Sequence, residues 1–484
     1  MPTSASLLEA LDQRLRAVAP HLLEEVPPPT GVPTIDGVQV LEALVDRLRA
    51  RTDSADVWLV VAALTAQLPT SDLVRMVRRR LGLLAKRDVV IWLLNLAAST
   101  MGTSDADTEI EVITDRPIVD VDFSARSDLL TGIQRVVRQL VPRWDGDHEI
   151  ELVRWDDSKA FTALSEEERG RVRASSGRAA DGSGDRRRRI IPWGAPVLLL
   201  EVPFMEEGRR LAGLAEFSPS PVGIIGYDCI PVVSAELVTE KDREKFAEYL
   251  ELVKYVDVVA GISTSAAAEF AGFVSALPAQ GIDGPRIVTC GLPTTVKVAS
   301  DRASVELPLP EVLCVGTVDR RKNQIVLVEA AEHLWRAGER FRLRLIGPIS
   351  GQDDESRLLI ESLVEAGRPL SVDKEVSDAD LDAAYRSARM VVFPTRHEGF
   401  GLPVAEALSY GVPVVTSDFG STREIAEGNG AILVDPVDVG AVMSAIRALL
   451  TDDELHARLV HEARSRDTRS WDDYAAELWQ VLVP

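Results

Sequence analysis

The sequence predicts an α/β protein in which two parallel, doubly wound domains follow an all-helical region. From residue 311 onward, short apolar strands alternate regularly with helices, which is typical of a parallel sheet covered on both faces. A less regular alternation fills residues 112–295, whereas residues 1–105 show only the helical spacing of Leu, Val and Ala. The length of 484 residues suits two or three domains.

The N-terminal region, residues 1–105, is predicted to be a helical accessory region. The segment PPPTGVP interrupts its pattern once. Apolar residues recur at helical spacing over residues 5–25, 37–51 and 55–98. The polar residues 101–109 are predicted to form a linker, so we expect a chain that begins near residue 108 to fold without these helices. The region is also a candidate surface for a protein partner or for a second copy of the chain.

The first α/β domain is assigned to residues 112–295. Its predicted strands lie within EVITDRPIVDVDF and at residues 148–154, 195–202, 221–227 and 256–262, and its predicted helices begin near Gly132, cover 239–254 and begin after Ser263. Residues 163–189 are charged, contain Gly and Ser and have few large apolar side chains. That composition predicts a mobile loop.

The second α/β domain is assigned to residues 306–467, after a linker near 292–310. Its predicted strands are 311–316, 341–347, 390–394, 412–417 and 431–434, and its predicted helices are 323–336, 354–367, 377–388 and 402–410. Ligands of doubly wound sheets bind beyond the carboxyl ends of the strands, so two such domains are expected to enclose a cleft. The C-terminal helix, within 468–484, is expected to cross back to the first sheet.

The charge balance limits the possible partners. There are 54 Lys and Arg against 76 Asp and Glu, and the resulting net charge of −22 argues against a general nucleic-acid-binding protein. A local basic site for one diphosphate is compatible with that balance. The basic run at residues 75–80 either forms a solvated helix face or meets anionic lipid heads.

The cysteines and the apolar stretches indicate a cytoplasmic protein. Cys229, Cys290 and Cys314 lie in apolar, strand-like segments without paired spacing, which is typical of reduced, buried thiols. The first residues lack a basic start and a continuous apolar core, and no apolar stretch is long enough to span a bilayer. We therefore expect at most peripheral contact with the inner face of a membrane.

The strongest motif runs from Glu398 to Glu406, in the order EGFGLPVAE. It follows a predicted strand and opens a predicted helix, which is where a doubly wound sheet holds its ligand. Gly399 and Gly401 allow the backbone to approach a substrate and to expose its amides. The two glutamates, one in the loop and one in the second helical turn, are placed to accept hydrogen bonds from an elongated, polyhydroxylated ligand. The alternative is a glycine loop with two surface glutamates.

The second motif is GTVDRRKNQ, from Gly316 to Gln324. Cations just before a helix oppose its dipole, so the basic triplet that contains Arg321 and Lys322 suggests an anion held between them and the helix amides. A solvated basic turn is the alternative. Gly316 and Gly347 each end a strand of this sheet and are further candidate ligand-binding positions.

Two weaker candidates come from the first domain. Gly132, in TGIQR, lies between a strand and a helix, and Asp228, in GYDCIP, follows another strand. Either residue is equally compatible with an ordinary turn. The six histidines are scattered and predict no metal site, and Asp120 and Asp122 are predicted to be turn residues.

These motifs together resemble a known family. EGFGLPVAEAL followed by YGVPVVTSDFGSTREI resembles the donor-domain motif of retaining GT-B glycosyltransferases in the large family typified by sucrose synthase and bacterial mannosyltransferases (glycosyltransferase family 4). VGTVDRRKN, TGIQRVV and YDCIP are similar to segments of its O-antigen mannosyl- and rhamnosyltransferase subgroup. The resemblance covers about 112–484 and is strongest over 311–440.

The resemblance implies a role for each site residue. Glu406 would hold the nucleotide ribose and Glu398 a sugar hydroxyl, while Arg321 and Lys322 would neutralise the diphosphate. Gly132 would pack against that diphosphate from the other domain, and Asp228 would orient a hydroxyl. The amides of Phe400, Gly401 and Leu402 would contact the sugar and the distal phosphate. Thr317 and Tyr227 depart from the family pattern, which often has Arg and His there.

The implied activity is metal-independent sugar transfer with retention, without a cofactor. The donor would be a nucleotide-diphosphate sugar, with GDP-mannose as the first expectation and dTDP- or UDP-sugars as alternatives. The acceptor would be a glycan, a lipid-linked saccharide or a secondary metabolite. Two other hypotheses remain: a non-catalytic GT-B scaffold that works through its helical region, and a GT-B sugar phosphorylase or epimerase.

Overall fold

The computed structural model describes the protein over most of its length and confirms the predicted fold class. Two α/β domains face each other, and helices precede them. The described residues are 4–100, 109–129, 131–156, 159–173, 188–294, 307–351 and 353–484. Most of the predicted linkers at 101–109 and 292–310 therefore lies outside the described residues.

The helices of the described residues are α1 (Ser4–Val18), α2 (Pro33–Ala50), α3 (Ser54–Thr65), α4 (Ser71–Leu83), α5 (Lys86–Thr100), α6 (Asp122–Arg126), α7 (Gly132–Asp147), α8 (Glu166–Arg173), α9 (Met205–Phe217), α10 (Ile230–Val233), α11 (Glu240–Val253), α12 (Thr264–Val274), α13 (Gln324–Arg336), α14 (Asp354–Glu365), α15 (Asp378–Ser387), α16 (Leu402–Ser409), α17 (Gly420–Ala426), α18 (Val439–Thr451), α19 (Asp453–Ser465) and α20 (Trp471–Leu482). The strands are β1 (Ile110–Ile113), β2 (Ile118–Asp120), β3 (Glu151–Trp155), β4 (Phe161–Ala163), β5 (Arg189–Pro192), β6 (Val197–Leu199), β7 (Val222–Gly226), β8 (Val258–Gly261), β9 (Arg286–Thr289), β10 (Glu311–Val315), β11 (Arg342–Ile346), β12 (Leu370–Asp373), β13 (Met390–Phe393), β14 (Val414–Ser417) and β15 (Ala431–Val434).

The N-terminal helices share one hydrophobic core with the first sheet. In α3 every residue from Val57 to Leu64 is fully buried, because the other helices surround it. The same cluster continues into β1, β3 and β7 and into helix α9. At Gly213 of α9, any side chain would collide with the carbonyl oxygen of Pro69, so this helix touches the backbone before α4 directly. This packing removes the basis for expecting residues 108–484 to fold without the helices.

The first sheet has nine strands in the order β1-β5-β4-β3-β2-β6-β7-β8-β9. Its strands are parallel except where β4 runs antiparallel to both β3 and β5. The prediction of a loop over 163–189 is therefore wrong at both ends. Residues 166–173 form α8, and Arg189 is buried in β5, where its guanidinium pairs with Asp156. Residues 174–187 lie outside the described residues.

The second sheet has six strands, all parallel, in the order β12-β11-β10-β13-β14-β15. The order reverses beside β10, so the carboxyl ends of β10 and β13 flank the crevice where doubly wound sheets bind ligands. The loops that follow these two strands carry the two strongest sequence motifs.

The last helix, α20, lies on the first sheet, not on the second. The indole Nε1 of Trp144 donates a hydrogen bond to the carbonyl oxygen of Ala475, at 3.0 Å, and the rings of His148 and Trp479 stack with centroids 3.7 Å apart. Leu482 covers Gly223 of β7. The C-terminal segment thus crosses from the second domain to the first, as predicted.

The three cysteines are buried and form no disulfide, as the sequence predicts. Burial raises the pKa of the Cys290 thiol to about 11 and that of the Cys314 thiol to about 12, so neither is a ready nucleophile. Across the described ranges, every helix is too short or too polar to cross a membrane.

Candidate active site

The site lies in the cleft where the loop after β13 meets the end of β7. Any side chain at Gly399 would collide with the carbonyl oxygen of Tyr227, so the two domains meet here through bare backbone. The hydroxyl of Ser263, at the start of α12, donates to the carbonyl oxygen of Gly399 at 2.7 Å. Gly399, the first glycine of EGFG, therefore allows this close contact between the two domains. It also allows the backbone to approach a ligand, as predicted.

The predicted catalytic residues of the second domain form one charged cluster. The guanidinium of Arg321 lies 2.7 Å from the Glu398 carboxylate, and the ammonium of Lys322 lies 3.9 Å from the same oxygen. Burial alone would raise the pKa of Glu398, but Lys322 and Arg321 outweigh it and hold that pKa below its usual value. Glu398 is therefore ionised at neutral pH and accepts hydrogen bonds. Arg320, the third cation of the triplet, is exposed.

The two strand-end glycines of the second domain have different neighbours. Gly316 has φ +131°, a backbone conformation that favours glycine, and a Cβ there would lie 2.7 Å from the Lys322 ammonium. Gly347 has φ +139°, and a side chain there would collide with the carbonyl oxygen of Gly316. The structure thus places Gly316 at the cluster, whereas Gly347 supports Gly316 from the neighbouring strand.

The loop residues Phe400, Gly401 and Leu402 lead directly into α16. Phe400 is buried in the core that both domains share. Its side chain therefore anchors the loop, and only its backbone can contact a ligand. Gly401 is the N-cap of α16, with φ +110°, and a Cβ there would lie 2.9 Å from Thr422. Pro403 has no amide hydrogen and the Val404 amide donates to the Gly401 carbonyl oxygen at 3.0 Å, so the amides of Phe400, Gly401 and Leu402 stay the predicted contacts of a phosphate or a sugar hydroxyl.

Glu406 lies in the second turn of α16, as predicted, and is only 5% exposed. Its carboxylate accepts a hydrogen bond from the Tyr385 hydroxyl at 2.7 Å and forms an ion pair with Arg135 of α7. Arg135 belongs to the first domain, so this pair bridges the cleft. Each carboxylate oxygen of Glu406 therefore already has a side-chain partner, Tyr385 on one and Arg135 on the other.

The first-domain candidates lie on the facing side of the cleft. Gly132 begins α7, and a Cβ there would lie 3.4 Å from the Leu402 side chain. Asp228 accepts the amide hydrogen of Ile230 at 3.1 Å, which is the turn-capping alternative that the sequence left open. Burial raises the pKa of Asp228 to about 6, although Arg321 lowers it. Asp228 can therefore exchange a proton near neutral pH.

Tyr227 does not point into the cleft. Its hydroxyl donates to the carbonyl oxygen of Leu200 at 2.7 Å, and the residue is only 8% exposed. Burial raises the pKa of this phenol well above its usual value, so the group remains protonated. Tyr227 thus packs in a hydrophobic core, with its hydroxyl bonded to the backbone of the first domain.

Sequence reasoning missed a second bridge across the cleft. His397 Nε2 lies 2.7 Å from a Glu269 carboxylate oxygen of α12, and His397 Nδ1 lies 2.8 Å from the Ser234 hydroxyl. Burial lowers the pKa of His397, but the hydrogen bond and charge of Glu269 bring it above its usual value. Only the adjacency of His397 to the EGFG motif signals this bridge, because Glu269 and Ser234 are distant in sequence.

Asp120 is the last residue of β2 and Asp122 is the first residue of α6, so the prediction that both are turn residues is wrong. Asp120 Oδ2 accepts the indole hydrogen of Trp155 at 3.1 Å, and Asp122 Oδ1 accepts the Trp155 amide hydrogen at 2.9 Å. Burial and the neighbouring Asp122 and Glu201 raise the pKa of Asp120 well above its usual value. In the part of the chain that the structure describes, no group of three or more His, Cys, Asp or Glu residues is arranged to hold a metal ion.

Two facing Rossmann-like sheets that enclose a cleft, with cations and carboxylates at the strand ends, form the architecture of the GT-B fold. Residues 300–466 match the family described as "Glycosyl transferases group 1", so this part of the chain is a glycosyl transferase group 1 domain. The match covers the second sheet and its loops and confirms the resemblance that the motifs indicated.

Curated relatives are also glycosyltransferases. One is a D-inositol 3-phosphate glycosyltransferase of Xylanimonas cellulosilytica, 36% identical over 188 residues, which are 38% of this chain and 44% of that protein. Another is the O-antigen chain mannosyltransferase B of Escherichia coli, 39% identical over 144 residues, which are 29% of this chain and 37% of that protein. The chain therefore aligns with less than half the length of each.

The fold also has a solved counterpart. A sucrose-phosphate synthase from Thermosynechococcus elongatus superposes with a TM-score of 0.54 at 18% identity, covering 76% of this chain and 98% of that one. At this identity the likeness concerns the fold alone, and it confirms the two-domain GT-B architecture.

Proposed function

We propose that the protein transfers a sugar from a nucleotide-diphosphate donor to an acceptor hydroxyl. The observation that carries this proposal is the cluster of Arg321, Lys322 and Glu398, which faces Asp228 across the cleft. Two cations beside helix-start amides suit a departing diphosphate, and an ionised, buried carboxylate suits a sugar hydroxyl. Glu406 completes the donor site as the acceptor of the ribose hydroxyls.

The chemistry would depend on leaving-group stabilisation and positioning. Arg321 and Lys322 would neutralise the charge that develops as the sugar–phosphate bond breaks, which is the kind of interaction that lowers a barrier. Because these cations come from the chain itself, the transfer would need no metal ion. We further propose retention at the anomeric carbon, which proton NMR of the initial product would test.

Mannose is the first sugar to test. One relative is named as a mannosyltransferase and another, from Agrobacterium fabrum and 29% identical over 182 residues, as a mannosylfructose-phosphate synthase. We therefore propose GDP-mannose as the first donor, followed by UDP- and dTDP-sugars. The acceptor class is a carbohydrate or a lipid-linked saccharide.

Peripheral membrane contact and a cytoplasmic location stay predictions. In the basic run of α4, Arg75 pairs with Glu216 at 2.7 Å, and the guanidinium of Arg80 covers the Trp92 ring at 4.3 Å. Arg79 and Leu83 remain exposed on the same helix. These exposed side chains are the part of α4 that could meet a lipid surface.

Thermal unfolding of the purified protein with GDP, UDP, dTDP or ADP, each with and without EDTA, tests the proposal. We expect one diphosphate to raise Tm at concentrations above its Kd, and EDTA to leave that shift unchanged. The absence of any shift at millimolar concentration would contradict a donor site and favour the scaffold hypothesis. Turnover with inorganic phosphate in place of a nucleotide would identify a phosphorylase.

A further inference from the structure

A large cavity opens beside the donor cluster, between the two domains. Its volume is about 750 Å³, which is in the range of pockets that hold a whole small ligand. Helices α10, α11 and α12 of the first domain form one wall, and residues 395–398 and 419–422 of the second domain form the other. Glu398 belongs to the donor cluster and also lines this cavity, so the cavity lies directly beside that cluster.

The deep part of the cavity is polar. The hydrogen-bonded chain of Ser234, His397 and Glu269 lies there, next to Glu398. The side chains of His397 and Glu269 are only 13% and 11% exposed, and that of Glu398 is 13% exposed. Carboxylates and an imidazole at this depth suit the hydroxyl groups of a saccharide.

The mouth of the same cavity is apolar. Val232 and Val233 of α10 are both 57% exposed, and Phe419, from the opposite domain, is 45% exposed. Leu250 and Phe273 continue the apolar lining inward. Adjacent exposed valines facing an exposed phenylalanine across a cleft form a local apolar rim on a protein with a net charge of −22.

We propose that this cavity binds an acceptor with two chemically distinct ends: a hydroxyl-bearing head near Glu398 and His397, and an apolar aglycone or tail that leaves over Val232, Val233 and Phe419. The inference rests on the arrangement of the side chains that line the cavity, which are polar in its interior and apolar at its rim. A free sugar would leave the rim unused, whereas an amphiphile covers both parts. The inference rests on the proposed transferase function, since it names the acceptor class of that site.

Matched pairs of octyl and methyl glycosides test the tail directly. Their binding to the full-length protein is measured by calorimetry, for mannosides, glucosides, galactosides and rhamnosides, below the concentration at which the octyl compounds form micelles. We expect at least one octyl compound to bind tenfold or more tightly than its methyl partner, because burying about two methylene groups is enough for that factor. Val233→Asp and Phe419→Asp should each remove the difference without weakening the methyl compound.

Leu358→Asp is the matched control, because Leu358 is 58% exposed on α14. It should retain the octyl preference. Using one variant from each domain keeps the test valid if one of them fails to fold. Equal binding of octyl and methyl compounds, or a preference that survives Phe419→Asp, would overturn the inference. So would a dimer in light scattering that Val233→Asp dissolves, because the rim would then be covered by a second copy.

The two proposals fail in different ways. If a nucleoside diphosphate stabilises the protein but the octyl preference is absent, the acceptor inference is wrong and the donor site stands. If the octyl preference is present and no nucleoside diphosphate binds, the amphiphile site is supported and the transferase proposal is contradicted.

Discussion

Glu406 is a predicted ligand-binding residue whose carboxylate contacts side chains of both domains. Its carboxylate is held by Tyr385 from its own domain and by Arg135 from the other. These partners are 21 and 271 residues away in the sequence, so no local pattern could predict them. The sequence does predict the position of Glu406 in the second turn of α16, because a glycine-rich loop before an apolar helix defines that start.

Arg135→Ala should reveal whether the Arg135–Glu406 pair opposes nucleotide binding. We expect a loss of about 1–2 kcal/mol of unfolding free energy without ligand, less than for a fully buried pair because the Arg135 side chain is 44% exposed. The affinity for the nucleoside diphosphate should rise, because the ribose no longer competes with a cation. Scanning calorimetry measures the unfolding free energy, and titration calorimetry measures the affinity for the nucleoside diphosphate. A weaker affinity in the variant would mean that Arg135 contacts the nucleotide itself.

Lys322→Ala should separate catalysis from binding. If Lys322 stabilises the departing diphosphate, kcat should fall by about 10²–10³-fold, while the affinity for an unreactive donor analogue should change much less. Steady-state kinetics and calorimetry give the two numbers. Lys374→Ala, on the same domain, is the control and should change neither. An equal loss in kcat and in affinity would make Lys322 an ordinary binding residue.

At the scale of elements, the sequence predicts five of the six strands and four of the seven helices that the structure describes in the second domain; β12, α17, α18 and α19 were missed. The predicted strands are short, mainly apolar and bounded by Gly, Pro or polar residues, so the change of period from strand to helix is clear, whereas β12 alternates Leu370 and Val372 with Ser371 and Asp373. In the first domain the sequence did not reveal β4, which has three residues, or the charged helix α8. Both are held by contacts with the sheet that have no local pattern, such as the ion pair between Arg154 of β3 and Glu168 of α8 at 2.6 Å.

The bridge between α12 and the loop after β13 should make stability depend on pH. The pKa of His397 is raised in the folded state, so the bridge contributes most below the unfolded pKa of about 6.5 and is lost as pH rises through the folded pKa. The groups that face His397 are Glu269, Ser234, Asp228 and Arg321.

Comparing Tm of the wild type and of His397→Gln from pH 5 to pH 9 tests this dependence. The wild type should be the more stable below about pH 6.5, and the difference should shrink at higher pH. The exposed His461 offers a control, because His461→Gln should not change the profile. A stability difference that is constant across this range would show that the imidazole charge does not contribute.

At the scale of the whole molecule, the helical region is part of the first domain's core. Periodicity identified the helices but not their partner, because a helix that is apolar on every side, such as α3, indicates burial without saying against what. The pair Arg75–Glu216 and the contact of Arg210 with the Leu68 carbonyl oxygen, at 2.6 Å, add polar links between the two parts.

Removing residues 1–107 should therefore leave an insoluble protein. The truncation exposes the apolar surface of α9 that α3 and α4 cover and the surface of β1 that α1 covers. Solubility after expression and the thermal unfolding profile are the measurements. Co-expression of residues 1–107 as a separate chain should restore solubility, whereas a soluble truncated protein with one sharp unfolding transition would show that the helices are dispensable.

The most direct test of the account is the affinity of the preferred nucleoside diphosphate for the wild type and for Glu406→Ala. Losing a charged hydrogen bond should weaken binding by about 1–3 kcal/mol, which is about 5- to 150-fold in Kd. Glu361→Ala, an exposed acid on the same domain, should bind like the wild type. If Glu406→Ala binds the nucleotide as tightly as the wild type, Glu406 does not hold the ribose and the proposed donor site is wrong.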